Sequence, residues 1–380
     1  MKKINGSLQN YAWGSHYLLA ELRGEKFPTV KPEAELWFGA NALKPSTIDG
    51  IPLTTIISND TERQLGRGQK DLPFLVKLLA AGEPLSIQVH PTKKQAERGF
   101  VQDNRRGISL TSTTRNYRDD NHKPEILIAL DRFQALAGFR PLKKTADLFE
   151  AFSAPIIDRY LPMIKTEDES KGLCSIINSW FSMPEAERMA FINELMASVS
   201  IYKKKSNAKP WIVEVGNVIS TLNEKYPYDV GVIIALLLNF VELKAGEAIF
   251  VDARQLHCYL GGLGVEVQAN SDNVLRGGLT SKHVDVQELL KILSFSPLVN
   301  PIVKADSEGV YAAPINEFSV RIIRDKDEML VGGKPYIVLC TKGTVTSGDG
   351  TLLTPGNAGW IAAADRKTML KVEGDAIICC

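Results

Sequence analysis

Hydrophobic periodicity changes twice along this chain, and that double change limits its architecture more than any other feature. From Lys2 to about Phe139, short apolar runs alternate with Gly, Pro, Asn and Asp, the pattern of many short strands. Phe74 to Leu79 and Ile126 to Leu130 are the clearest of them. From about Lys144 to Phe240 the apolar positions take helical spacing, as at Met189, Phe191, Ile192, Leu195, Met196 and Val199. Period two resumes at Lys244, and after a short helical piece at Val286 to Leu293 it persists from about Val303 to Cys380. The chain is therefore expected to be mainly β with an α insertion. Residues 1–143 and 241–297 form one β-domain, 144–240 a helical domain, and 298–380 a second β-domain.

Local signals refine this outline. Thr145 opens a helix with Leu148, Phe149 and Phe152, and Ser182-Met183-Pro184-Glu185 reads as an N-cap with Pro just inside. Pro210 to Leu222 and Val230 to Val241 are expected to be helical, the latter capped by Asp229. The polar stretch Asp103 to His122 lacks a period, and a loop of that length in a compact domain is functional or mobile.

Composition excludes several classes. Lys plus Arg number 45 against 44 Asp plus Glu, a net charge of +1, which argues against a basic nucleic-acid surface or a polybasic membrane module. The longest apolar run, Val230 to Leu238, is too short to span a bilayer. No apolar stretch follows the basic start, so no secretory signal is read. Five cysteines (Cys174, Cys258, Cys340, Cys379 and Cys380) lack any framework spacing and fit free thiols in a reducing cytoplasm.

Only five histidines are present, and two stand in suggestive settings. In Ser86-Ile87-Gln88-Val89-His90 the polar residues share one strand face and the apolar ones the other. A polar stripe turned inward costs free energy unless something binds it. Lys123 and Glu125 likewise share a face, and His257 precedes a segment in which Glu266, Gln268 and Asn270 oppose Val265, Val267 and Ala269. Cys258, pointing away from His257, reads as a packed thiol. Two imidazoles, a carboxylate and an amide oxygen form a mixed N/O donor set that suits Zn²⁺, Mn²⁺ or Fe²⁺. Lys123, Arg276 and Lys282 offer cations for an anion such as phosphate. Each setting also has an ordinary reading: a satisfied strand histidine, a surface Lys–Glu pair, or a solvated outer sheet face.

With these residues in view the sequence resembles the type I mannose-6-phosphate isomerases, cupin-fold zinc enzymes. The likeness is carried by Asn10-Tyr11-Ala12-Trp13-Gly14-Ser15, Ala34-Glu35-Leu36-Trp37-Phe38-Gly39, Leu85-Ser86-Ile87-Gln88-Val89-His90-Pro91, Asn121-His122-Lys123-Pro124-Glu125 and Ser271-Asp272-Asn273-Val274-Leu275-Arg276-Gly277-Gly278-Leu279-Thr280. It implies two cupin-type β jelly-roll domains plus the helical domain, the C-terminal one without metal ligands. It implies one Zn²⁺ per chain on Gln88, His90, Glu125 and His257, an active-site arginine at Arg276, and a pocket lined by Lys123, Glu266 and Lys282. Ser86 and Tyr259 join Lys282 as expected substrate-binding residues. Leu256, Cys258 and Ser281 depart from the family's usual Pro, Ala and Pro, and Val251 to Arg254 is less Gly-rich than its usual turn.

The implied reaction interconverts mannose 6-phosphate and fructose 6-phosphate through a cis-enediol, in a cytoplasmic monomer or weak homo-oligomer whose partner is a small sugar phosphate. Glu266 is the expected proton-transfer group, with Lys123 and a zinc-bound water as rivals. A metal and two cations nearby are expected to lower its pKa. Arg115 or Arg118 of the long loop is expected to help hold the phosphate while the loop covers the sugar. A different cupin metalloenzyme, such as a dioxygenase or a sugar-phosphate isomerase of other specificity, and a non-catalytic sugar-phosphate sensor are the alternatives.

Overall fold

A computed structural model describes residues 1–380. Its strands gather into two large antiparallel sheets, one of 11 strands and one of 8, with the helical block beside the larger. The larger sheet runs Ile302–Lys304, Glu247–Val251, Glu125–Ala129, His257–Ala269, Phe74–Ala81, Glu35–Gly39, Ser7–Gln9. Ile87–Val89, Phe133–Phe139, Leu238–Leu243 and Leu275–Gly278 extend it around a barrel. The architecture is mainly β with a helical insertion, as expected.

Alternation along the Phe74–Ala81 strand explains how the sheets stack. Phe74, Val76, Leu78 and Ala80 face a shared core with Ile337, Leu339, Trp360 and Ile377 of the smaller sheet. Leu79 and Ala81 turn the other way into the barrel, with Leu127, Ala129, Phe133 and Tyr259. The helical block packs around Trp180, which meets Phe149, Tyr160 and Phe191, in a core continuous with Ile87, Val89, Leu136 and Leu275 of the barrel. No helix is long and apolar enough to cross a membrane.

The expected boundaries are crossed in both directions. The first strand, Lys2–Ile4, pairs with Ala358–Ile361 of the C-terminal sheet, while Ile302–Lys304 pairs with Glu247–Ile249 of the larger one. Val230 to Val241 is not one helix. Helix Val230–Ile234 and a 3-10 turn give way to strand Leu238–Leu243, which pairs with Phe133–Phe139. The run from Val232 to Leu238 is buried throughout, so its apolar residues follow no single period and only the neighbouring strand decides where helix ends. Asp229 does cap the helix, accepting from Gly231 N at 2.7 Å. Pro184 lies just outside helix Glu185–Lys203 rather than inside it, and Ser182 ends the preceding helix. The supposed loop Asp103–His122 begins inside a further helix, Lys93–Arg105, started by a Thr92–Gln95 capping box.

Candidate active site

One strand does most of the placing. His257–Ala269 pairs first with Ile87–Val89 and Phe133–Phe139, then with Phe74–Ala81 and Glu125–Ala129, so it turns a corner of the barrel. The register slips between Tyr259 and Gly261. Such a bulge moves the following residues to the opposite face. Odd-numbered His257 and Tyr259 therefore share the barrel interior with even-numbered Glu266 and Gln268, while Val265 and Val267 join the core between the sheets. Gly262 sits at the bend with φ 126°, and a Cβ there would lie 2.7 Å from Arg132 O and from the Phe133 ring.

The strand pairing brings the separate motifs together. Gln88 stands opposite both His257 and Arg276, Gln268 opposite Glu125, and Glu266 opposite both Lys77 and Leu127. His90, Glu125 and His257 are wholly buried, with ligand atoms all within 4.8 Å of one another. His90 Nε2 lies 3.5 Å from Glu125 and His257 Nε2 lies 3.2 Å from it. His90 Nδ1 lies 2.7 Å from the Asn273 carbonyl and His257 Nδ1 3.2 Å from the Gln255 carbonyl, contacts that each ring makes by donating. Those bonds leave both Nε2 atoms as inward lone pairs, the tautomer a metal requires. His257 Nε2 has no hydrogen-bond partner although it is buried. Burial, then the Lys123 charge, pushes the His90 pKa down to about 4, so its ring is neutral near pH 7. A buried N/N/O set with an orphaned nitrogen fits a divalent metal.

Lys123 and Tyr259 hold Glu125. The Lys123 ammonium pairs with Glu125 and lies 3.4 Å from His90 Nε2. The Tyr259 hydroxyl donates to the other carboxylate oxygen at 2.8 Å. Tyr259 is almost wholly buried but reaches the cavity lining, and its hydroxyl bonds Glu125.

Above this group opens a cavity of about 600 Å³, lined among others by Trp13, Ser86, Gln88, Lys123, Asp272 and Glu266. Arg118, Arg276 and Lys282 also line it. Burial depresses the Arg276 pKa and Arg118 depresses it further; Lys282 is depressed by burial, then by Arg276 and Arg118. None of the three cations makes an ion pair with a carboxylate, and all three line the one cavity.

Two expectations change. Arg115 is buried and its guanidinium is consumed by its own loop, donating to Tyr117 O at 2.6 Å, Asn104 Oδ1 at 2.7 Å and Ile108 O. It braces the wall, and only Arg118 of the two loop arginines has a guanidinium free of such bonds. The loop itself is tied down. Tyr117 lies against Gly99, where a Cβ would come within 2.2 Å of its ring; its hydroxyl donates to Glu288 and Asn116 donates to Asp285. This is a fixed wall, not a cover.

Around Glu266, in the absence of a metal, neighbouring groups act in opposite directions. Burial, then the Glu125 charge, raises its pKa, and the Lys77 ammonium at 2.7 Å opposes but does not cancel that rise. Lys77, missed in the sequence reading, is itself buried, 3.5 Å from Glu35 and 5.1 Å from the centre of the Trp37 ring, with its pKa raised by Glu266 and Glu35 against burial. Its signal was available: a lone lysine at the core of Phe-Leu-Val-Lys-Leu-Leu-Ala needs a buried counter-charge.

A cupin barrel with a buried His–Glu–His group beneath a cationic cavity defines a metal-dependent enzyme class acting on anionic small molecules. Residues 1–142 match the family "Phosphomannose isomerase type I, catalytic domain". The chain is 36% identical to the mannose-6-phosphate isomerase of Escherichia coli (strain K12), over 98% of each chain. It is 31% identical to the human enzyme, over 93% of this chain and 90% of that one. A crystal structure of mannose 6-phosphate isomerase bound with zinc and yttrium superposes with a TM-score of 0.88 and 32% identity, over 100% of this chain and 98% of that one. This chain belongs to the mannose-6-phosphate isomerase family.

Proposed function

We propose that this protein interconverts mannose 6-phosphate and fructose 6-phosphate, with Zn²⁺ held by Gln88, His90, Glu125 and His257. The observation that carries the reading is a buried His–Glu–His group that touches Lys123 on the floor of a cavity whose lining also carries Arg118, Arg276 and Lys282. A neutral dioxygenase substrate would make no use of three cations gathered on one cavity.

Bound zinc supplies Lewis-acid polarisation of the sugar carbonyl or its neighbouring hydroxyl. Arg118 and Lys282 hold the phosphate, with Ser86 beside them on the cavity wall. Arg276, opposite Gln88 on the neighbouring strand, supplies fixed positive charge beside the enediolate. Glu266 takes the proton from C2 of the aldose and returns it to C1, while the hydroxyl proton passes from O2 to O1. A carboxyl held above its ordinary pKa is a stronger base than a solvated one. Lys77, paired with it at 2.7 Å, works against that rise.

The test is conversion of mannose 6-phosphate to fructose 6-phosphate by purified protein before and after chelation. Activity lost with chelator and restored by Zn²⁺ is the expected result. No conversion with any divalent metal would overturn the reading.

A further inference from the structure

We propose that Asn273 is a positioning residue of this site, a joint that ties the placement of Arg118 at the phosphate end to the orientation of His90 at the metal end. The proposal rests on the roles given above to Arg118 and His90.

Asn273 is fully buried, and every polar atom it has is committed. Its side-chain Oδ1 accepts from Arg118 N at 2.7 Å and from Asp119 N at 3.3 Å. Its Nδ2 donates to Asp119 O at 2.8 Å, Asp119 Oδ1 at 3.0 Å and Asn121 O at 2.8 Å. The whole amide is thus spent on residues 118–121, the segment that presents Arg118 and leads to Lys123. Its backbone carbonyl accepts from His90 Nδ1 at 2.7 Å, and its own N donates to Ser271 Oγ at 3.2 Å. No hydrogen bond joins Arg118 to His90 directly; Asn273 bridges them, from its carbonyl O through Cα, Cβ and Cγ to Oδ1. Asparagine alone suits the position. An aspartate would turn an oxygen toward three acceptors, and alanine would leave the Arg118 amide, Asp119 O and Asn121 O without this partner.

A buried side chain that only filled space would not link two functions. Loss of this one should loosen both ends at once, because the loop loses its anchor and the carbonyl that orients His90 loses the frame that holds it. Ser271 supports the same frame, donating to Asp119 Oδ1 at 2.7 Å.

The experiment uses the full chain in four variants, with zinc affinity read by competition against a chromogenic chelator. Inorganic phosphate binding to the metal-free protein is read by titration calorimetry. Arg118→Ala should weaken phosphate about tenfold and leave zinc within about twofold, since it removes one charge-assisted contact. Asn273→Ala should weaken both, zinc by about 10- to 100-fold, the usual cost of removing support for a metal-bound ring. Val345→Ala, in the core of the C-terminal sheet, serves as a control for general loosening and should alter neither constant. Where Asn273→Ala fails to fold, Ser271→Ala carries the test, with a smaller paired loss expected. An asparagine or serine variant that weakens only one of the two ligands, or neither, overturns the joint. A Val345→Ala protein that weakens both overturns it as well. Unchanged phosphate binding in Arg118→Ala strikes instead at the phosphate assignment of the preceding section.

Discussion

The two β-domains of this protein are built on one plan and filled in opposite ways. Each has a long strand that turns a corner: His257–Ala269 in the larger sheet and Tyr336–Ser347 in the smaller, each with a one-residue slip in register. Each also has a Gly turn ahead of an inner strand, Gly246 with φ 83° and Gly356 with φ 80°. After its bulge the first strand turns Glu266 and Gln268 inward; after its own, the second turns Val345 inward. The smaller barrel is closed by Ile323, Leu330, Val338, Leu353, Leu370 and Ile378, and it contains no histidine. The same backbone geometry thus yields a core or a site, according to which residue types occupy the inward positions. An apolar interior excludes water and stabilises; a polar one must be satisfied by partners or by ligand.

Substitutions can break this contrast. The largest effect is expected from Glu125→Ala in the polar barrel, with turnover falling by on the order of a thousandfold, as befits losing several kcal/mol of metal assistance. Zinc content after gel filtration should fall with it. Retained zinc with full turnover would remove Glu125 from the metal group. Lys77→Met comes next. It strands Glu35 and Glu266 as buried carboxylates, and denaturant unfolding should show a loss of about 3–5 kcal/mol. Because Lys77 lowers the Glu266 pKa, its removal should also move the acid limb of the kcat profile to higher pH. An unmoved limb would show that Glu266 is not the titrating base.

In the apolar barrel, Ile378→Val should cost about 1 kcal/mol of stability and leave kcat/KM unchanged. A kinetic effect there would mean that the second barrel communicates with the first. A further effect separates the barrels by pH. His90 has a folded pKa near 4, below its ordinary 6.5, so the metal-free protein prefers the neutral ring. That contribution is complete above about pH 6.5 and is lost as the pH falls toward 4. Acid melts of metal-free protein should therefore lose stability across that window. A His90→Phe variant should flatten the loss, and a variant that keeps the wild-type slope would assign the effect elsewhere.

Much of this was legible in the residues. Alternation exposed Gln88 with His90 and Lys123 with Glu125 as inward pairs, because a strand has period two whatever surrounds it. The order of strand, helix and strand followed from period alone. Lys77 escaped because its apolar neighbours disguised it. The Val230–Val241 segment escaped because a run buried throughout carries no period. The stretch Asp103 to His122 was read as a cover since sequence shows length but not the tethers, such as Tyr117 on Gly99, that hold it to the wall.

By itself the sequence determined the donor types, their faces on each strand and the placement of the helical block, all of which depend on neighbours within a few residues. Tertiary structure alone decided that His257 and Glu266 share a face, because a bulge between Tyr259 and Gly261 reverses the alternation. It alone spent Arg115 on its own loop and left Arg118 for the cavity, and it alone raised the Glu266 pKa by burying it beside Glu125. Those outcomes depend on distances between residues far apart in the chain, and a local pattern carries no information about desolvation or a distant charge.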